Sequence, residues 1–503
     1  MPDLTPAPGE VTPPIALVGG AADATARPGA APAVGLDDAL LARLRSACAD
    51  VVTEAGATAE ASRDWWPLAM IWATHGQVPN RAAAVARPTT VAEVSAVVAL
   101  CNEAGVPLTA AGGRSGVCGS SVPLFGGVVL DLTAMSGIVG VDDTSLVVDV
   151  LPGTFGDLFE AELQADHGLT VGHWPQSMTL ATVGGWLACR GAGQYSTRYG
   201  KIEDIVVGLD VVLADGRLIH TGGQPRQAVG PDLTQLFVGS EGTLGIIVGA
   251  RLKAHPRPPA ERRAAYAFDS FEAGLDACRR ILRRGATPAV LRLHDVTEAA
   301  RFGAEGRHVV IVLDEGDATL IDAVMAVVAE ECAAGEPLDG GAIVGQWVEH
   351  RNDVSALEAL INKGYVVDTM EVAGSWADLP AIHAGATAAI SGVEGTLVAS
   401  CHQSHAYTDG ACLYFTFAAK VEPEERERYY REVWDAGTGA ILAAGGALSH
   451  HHGVGINRAR FVPEALGEAF ATLVALKGTL DPAGILNPGK LGLPSPFGDV
   501  GWP

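Results

Sequence analysis

The sequence predicts an α+β protein with two folded domains. Three observations carry this: a length of 503 residues, a turn-rich apolar composition, and two halves in which short strands and amphipathic helices alternate with different texture. A chain this long exceeds what one hydrophobic core usually serves. Hydrophobic residues make up 48% and charged ones 18%, with 62 Gly and 29 Pro, which suits a compact globular protein rather than a fibrous or disordered one.

Residues 1–35 are Ala, Pro and Gly with few large apolar groups, and such a segment buries too little surface to offset its ordering entropy. The expectation is a disordered tail. A helical period then begins at Leu36, with Asp37 and Asp38 at its start. From Val85 a helix introduced by Thr90 is followed by the strands VPLTA, GGVVLDL, SLVVDVL, IVVGLDVVLADGRLI and TLGIIVGARLKAHP. Residues 36–255 therefore read as one α+β domain.

Beyond Pro256 the texture alters. ERRAAYAFDSFEAGLDACRRILRRG and TLIDAVMAVVAEECAAG read as helices, AVLRLHD and HVVIVLDEGD as strands, which predicts a two-layer α/β sandwich over 256–435. Residues 436–503 hold helices, a final turn and the densest polar cluster of the chain.

The net charge of −24 repels phosphate backbones and anionic membrane surfaces, so neither nucleic acid nor a membrane is an expected partner. Eight Cys occur without C-x-x-C spacing, and the N-terminus lacks the basic start and apolar core of a secretory signal. A cytoplasmic protein with reduced thiols is expected. Its partner is a small-molecule substrate, and a homodimer is possible.

Three glycine clusters stand out. Thr109-Ala110-Ala111-Gly112-Gly113-Arg114-Ser115 follows a strand, where successive N–H groups can turn toward one anion. Thr182-Val183-Gly184-Gly185-Trp186, with Cys189-Arg190-Gly191-Ala192 behind it, lets backbone approach a flat cofactor. Glu241-Gly242-Thr243-Leu244-Gly245-Ile246-Ile247 precedes a strand. None matches the dinucleotide fingerprint or the Walker ending, so together they point to a dinucleotide held by another fold.

GGRSG, TVGGW, GSEGTLGII and the terminal DPAGILNPGK, in this order and spacing, resemble the FAD-linked oxidase family of the vanillyl-alcohol-oxidase/p-cresol-methylhydroxylase superfamily, from about Arg87 to Leu493. The resemblance implies an FAD domain of two α+β subdomains, an α/β cap domain and a C-terminal segment returning to the flavin. It further implies that Thr109 to Ser115 face the pyrophosphate. Gln176, Ser177, Thr179 and Thr182, with Gly185 and Cys189 to Ala192, would meet the flavin and its chain, and Glu241 to Ile247 the adenosine side, with Asn487 of the last motif also at the cofactor. Some relatives tether FAD through a His in the first loop; Arg114 occupies that place here, and no Cys lies within Gln176–Thr182, so the FAD is expected to be non-covalent.

Ser449-His450-His451-His452-Gly453-Val454-Gly455 sets three imidazoles in a row before a glycine turn. Imidazole titrates nearest neutrality, which suits proton abstraction beside a flavin. Acid–base chemistry is the first expectation and no metal is assigned, although His402 and His405 supply two further imidazoles from which a metal site with this cluster could be built.

Within the superfamily, Thr170-Val171-Gly172-His173, Leu291-Arg292-Leu293, Asp409 to Phe415 and Ser449 to Gly455 resemble the alkylglycerone-phosphate synthases. By that resemblance His173, Arg292, Tyr414 and His450 to His452 line the substrate side of the flavin, with Tyr414 as proton donor or acceptor. Read from pattern alone, Tyr414 could be a packing residue of an alternating strand, Arg292 a partner of Asp295, and His173 a turn cap. The synthase pattern departs at one place: where it carries a phosphate-binding Arg, this chain has Leu357 followed by Glu358. The expected reaction is therefore hydride transfer from a small hydroxy or similar substrate to flavin N5. The alternative is a synthase-like exchange of acyl for alkyl.

Overall fold

Strand pairing divides the protein into three principal sheets. The structure is a computed structural model and describes residues 8–500. The first sheet has four strands in the order Val51–Val52, Ala84–Ala86, Val128–Asp131, Leu108–Ala111, the last three parallel. Helix Val91–Ala104 crosses over from Ala84–Ala86 to the parallel strand Leu108–Ala111, leaving room between them for Val128–Asp131. A capping box between Thr90 and Glu93 opens that helix, and Gly105, at φ 63°, closes it in the left-handed region.

The second sheet is an antiparallel five-stranded one, in the order Leu218–Gly222, Val206–Val212, Ile246–Lys253, Val147–Val150, Ile138–Asp142. The third is an antiparallel sheet of seven: Glu336–Leu338, Ala260–Phe268, His308–Gly316, Val290–His294, Thr396–Ala406, Gly410–Ala419 and Val366–Ser375.

Alternation along the seven-stranded sheet decides what each face does. Leu291, Leu293, Val310, Val312, Met370, Leu413 and Phe415 turn to one side and share a core with Phe271, Leu275, Ile281, Ile382 and Ile390 from the covering helices. The register across the other side aligns His294 with His402, His402 with Tyr414, and Tyr414 with Glu371. One row of the sheet thus carries four polar side chains where the opposite face is apolar.

Two expectations are corrected. The disordered tail does not describe residues 8–35: Ile15, Leu17 and Ala24 are buried, Trp65 Nε1 donates to Thr12 O at 3.1 Å, and Thr25–Ala26 pairs in parallel with Gln77–Val78. The few apolar residues there pack on the buried helix Pro67–Ala73, a long-range partner that composition does not reveal. Residues 1–7 of the expected tail lie outside the described residues. The second correction concerns ERRAAYAF, read as helix. Ala260–Phe268 is a strand paired residue for residue with His308–Gly316, and the helix begins only at Phe271, capped by Ser270. Helix-forming Glu, Arg and Ala yield here to sheet pairing.

The C-terminal segment returns to the first sheet. Leu108 N donates to Ile485 O at 2.8 Å and Asn487 N to Leu108 O at 2.8 Å, while the buried Lys490 ammonium donates to Val122 O at 2.6 Å.

Candidate active site

A cavity of about 720 Å³ separates the glycine loops from the polar face of the seven-stranded sheet. The first loop fits against the second so closely that a Cβ on Gly112 would stand 2.2 Å from Thr182 Oγ1 and one on Gly113 1.9 Å from Leu180 O. Only glycine permits that approach. Arg114 follows at φ 55° and donates from Nη1 to Asp131 Oδ2 at 3.1 Å.

The third loop clamps the histidine segment. The Glu241 carboxylate accepts Val454 N at 2.6 Å and Gly455 N at 2.9 Å. Burial raises its pKa to about 6, against the pull of those same N–H groups. Gly453, at φ 78°, passes so near that a Cβ there would lie 2.4 Å from Glu241 Oε1.

From the sheet side, Glu371 holds the same segment. Its fully buried carboxylate accepts Ser449 Oγ at 2.9 Å, His450 N at 2.5 Å and His452 N at 2.7 Å, and it pairs with Arg458 Nη1 at 3.0 Å. Desolvation opposes its charge, yet Arg458 and these donors hold its pKa below the ordinary value. Two carboxylates, one from the third glycine loop and one from strand Val366–Ser375, therefore set the backbone of one imidazole cluster.

The imidazoles form a chain. His450 Nδ1 meets His451 Nδ1 at 3.0 Å, His450 Nε2 meets the Tyr407 hydroxyl at 3.1 Å, and that hydroxyl meets Ser196 Oγ at 3.1 Å, which in turn meets His405 Nδ1 at 2.9 Å. Desolvation lowers the pKa of all of them, that of His452 to about 4, so they are neutral at pH 7. The Tyr414 phenol stacks on His402 with ring centroids 4.8 Å apart, and burial pushes its pKa up. At neutral pH it is a proton donor.

Arg292 does not pair with Asp295. Its Nη2 lies 2.6 Å from His402 Nε2, and His402 Nδ1 lies 3.0 Å from Glu298 Oε2. A guanidinium only donates, so His402 Nε2 must be bare and its proton must sit on Nδ1, facing Glu298. His294 Nδ1 reaches the same carboxylate at 2.9 Å. His294, Glu298 and His402 place one potential ligand atom each within 4.8 Å of one another, as do His405, His450 and His451. His402 and His405 thus fall in separate clusters, and the Arg292 contact accounts for the first as a hydrogen-bonded relay.

The walls suit a flavin dinucleotide. Besides the close-packed glycine loops, both ring nitrogens of the fully buried His173 and the indole Nε1 of Trp186 lack protein partners, and both residues line the cavity.

Two family models match the chain: "FAD binding domain" over residues 82–222 and "FAD linked oxidases, C-terminal domain" over 257–491. The uncharacterized FAD-linked oxidoreductase YgcU of Escherichia coli (strain K12) is 31% identical over 431 residues, covering 81% of this chain and 88% of that protein. This chain belongs to the FAD-linked oxidoreductase family. Alkyldihydroxyacetonephosphate synthase of Dictyostelium discoideum and glycolate oxidase subunit GlcD of Bacillus subtilis are each 29% identical to this FAD-linked oxidoreductase, over 83% and 81% of its length and 74% and 88% of theirs. A solved alkyldihydroxyacetonephosphate synthase shares its fold with TM-score 0.75 at 23% identity, covering 96% of this chain and 89% of that one. For p-cresol methylhydroxylase the values are 0.73, 18%, 92% and 99%. FAD is the cofactor of this flavoprotein.

Of the residues assigned to the flavoprotein's cofactor from sequence, Ala110 to Ser115, Gln176, Ser177, Thr182, Gly185, Cys189, Gly191, Ala192, Glu241, Gly242 and Gly245 to Ile247 line the cavity. Thr109, Thr179, Arg190, Thr243, Leu244 and Asn487 stand behind it. Leu244 is in the core, Arg190 is turned outward to Glu203, and Asn487 Nδ2 donates to Glu241 O and Ser120 O, bracing two loops. On the substrate side His173, Arg292, Tyr414, His451 and His452 line the cavity, while His450 sits one layer back against Tyr407. Leu357 is in the wall too.

Sequence reasoning missed Glu371, Glu298, Tyr407, Ser196 and Arg351. Glu371 and Glu298 carried a signal, a carboxylate beside strand residues on the face shared with Arg292 or Tyr414. The sheet register needed to interpret it is not local.

Proposed function

We propose that this flavoprotein dehydrogenates a small hydroxy-bearing substrate, with His451 as proton acceptor and Tyr414 as a donor that orients the substrate oxygen. When bound, non-covalently on this reading, FAD supplies a two-electron acceptor for the substrate hydride. Ala110 to Ser115, Thr182 to Gly185 and Gly191 would hold it. One observation carries the proposal: neutral imidazoles and a protonated phenol share the cavity wall that faces the glycine loops.

His451 spends Nδ1 on His450, which leaves Nε2 as its available base. A proton taken there is passed on through His450 and Tyr407 toward Ser196 and His405. Glu371 keeps the segment in place while that charge moves.

A second reading, exchange of an acyl for an alkyl group, draws support from the 29% identity to an alkyldihydroxyacetonephosphate synthase and from the apolar wall of Val354, Ala356, Leu357 and Leu360. Leu357 weighs against it, because a leucine cannot neutralise a phosphate. Anaerobic mixing with a panel of 2-hydroxy acids, followed through flavin absorbance, tests the proposal. Bleaching by one of them supports dehydrogenation. No bleaching, together with incorporation of labelled fatty alcohol into acyl-glycerone phosphate, sinks it.

A further inference from the structure

The short run Arg63-Asp64-Trp65-Trp66 joins the N-terminal segment to the first glycine loop, and all four side chains are buried. Alternate residues serve the two sides. Arg63 Nη1 donates to Ile15 O, and Trp65 Nε1 to Thr12 O at 3.1 Å. Asp64 Oδ2 accepts Ser121 Oγ at 3.4 Å, and Trp66 packs so closely on Gly119 that a Cβ there would lie 2.9 Å from its ring. Gly116 to Ser121 run straight on from the loop Thr109 to Ser115.

Pro13 and Pro14 account for the N-terminal side. Each lacks an N–H and holds φ at about −65°, and each keeps the residue ahead of it extended. A chain in that conformation turns once in about three residues, so the carbonyls of Thr12 and Ile15 emerge on one side. Those are the two that Trp65 and Arg63 reach. Ile15 and Leu17 fix this strap in the core beside Trp66 and Leu68.

Trp65 is also part of the cavity wall, with Pro67, Gly116, Val117, Ser120 and Ser121. Its one polar atom is committed to Thr12, so it offers the cavity an apolar indole surface, which suits contact with a flat aromatic group. This stretch of loop adjoins the histidine segment, since Cys118 O accepts Ile456 N at 3.0 Å. The match to the FAD binding domain begins only at residue 82, so the strap and Trp65 lie outside it.

We infer that Trp65 is a cofactor-contacting residue that meets the isoalloxazine of FAD with its indole, and that the strap Thr12 to Ile15 is the element that positions it. The inference depends on FAD as the cofactor and not on which reaction the protein catalyses.

The test uses the full-length protein, with FAD affinity of the apoprotein measured by calorimetry and the isoalloxazine environment of the loaded protein by visible circular dichroism. Trp65→Ala is expected to weaken FAD binding roughly ten-fold, as for one lost stacking contact, and to alter the visible bands. Trp65→Phe keeps a ring but loses the bond to Thr12, and the double variant Pro13→Gly/Pro14→Gly slackens the strap while leaving Trp65 intact. Each should weaken FAD binding a few-fold. Leu44→Ala, in the core of the first sheet and outside the cavity wall, should lower the melting temperature of the apoprotein without altering the bands. Unchanged FAD affinity or unchanged visible bands in Trp65→Ala overturns the contact, as does a loss of affinity no greater than that of Leu44→Ala at equal destabilisation. Wild-type FAD affinity in the double glycine variant overturns the role of the strap. If Trp65→Ala does not fold, Trp65→Phe decides by the same two measurements.

Discussion

Glu371 and Tyr414 are direct cross-strand partners, so the carboxylate that organises the histidine segment and the phenol that faces the substrate occupy one rung of the sheet. Glu371 also neutralises Arg458, and both side chains are buried. Glu371→Gln leaves that guanidinium uncompensated, and breaking such a pair costs about 3–5 kcal/mol. Urea denaturation of the FAD-loaded protein checks this; an unchanged midpoint would show that Arg458 has other compensation.

Gly453→Ala is expected to disturb the clamp on the other side. The residue sits at φ 78° with no room for a Cβ beside Glu241 Oε1, and the backbone strain alone amounts to roughly 1–3 kcal/mol. The variant should melt earlier and bind FAD more weakly. A melting temperature within error of the wild type would mean that Glu241 yields freely.

Asp368 offers a pH test. Its carboxyl is buried, accepts from Tyr430 Oη and Trp434 Nε1, and has a pKa raised by desolvation to about 7. A raised value means that its contribution to stability is complete below the unfolded carboxyl pKa and is lost as pH rises through about 7. Asp368→Asn removes that loss, so its stability relative to wild type should improve by up to ~1.4 kcal/mol per pH unit from the unfolded carboxyl pKa of about 4 up to about 7, and level off above it. Melts at pH 6 and pH 9 that show the same difference would refute the assignment.

His402 is a positioning residue for Arg292. Gln can accept from the guanidinium and donate to Glu298 as the imidazole does, whereas Phe can do neither. His402→Gln should retain substrate affinity within a few-fold and His402→Phe lose roughly ten-fold, the worth of a charged hydrogen bond. Equal KM values in the two variants would reduce His402 to packing.

Release of the flavin tests the absence of a tether. Acid precipitation is expected to leave all the yellow colour in the supernatant, and a coloured pellet would point to a covalent bond.

The glycine loops, the imidazole run and the helix caps at Thr90 and Asp37 could be read from the sequence because each is set by short-range backbone geometry. Tyr414 and Arg292 were identified by motif, but their partners were not: Arg292 meets His402, 110 residues away, instead of the nearby Asp295. Glu371 acts through register across four strands, Glu298 through a short helix that meets His402 of another strand, and Arg351 through Trp174 and Tyr195, far from it in sequence. The N-terminal residues failed for the same reason, since Ile15 and Leu17 are buried by contacts that local composition does not encode.

The return of residues 485–490 to Leu108 and Val122 has a consequence in time. A growing polypeptide exposes all three glycine loops long before the segment that braces them has left the ribosome. Cofactor loading is therefore a late event in the life of the chain, and a ribosome stalled short of Lys490 would display an open cradle.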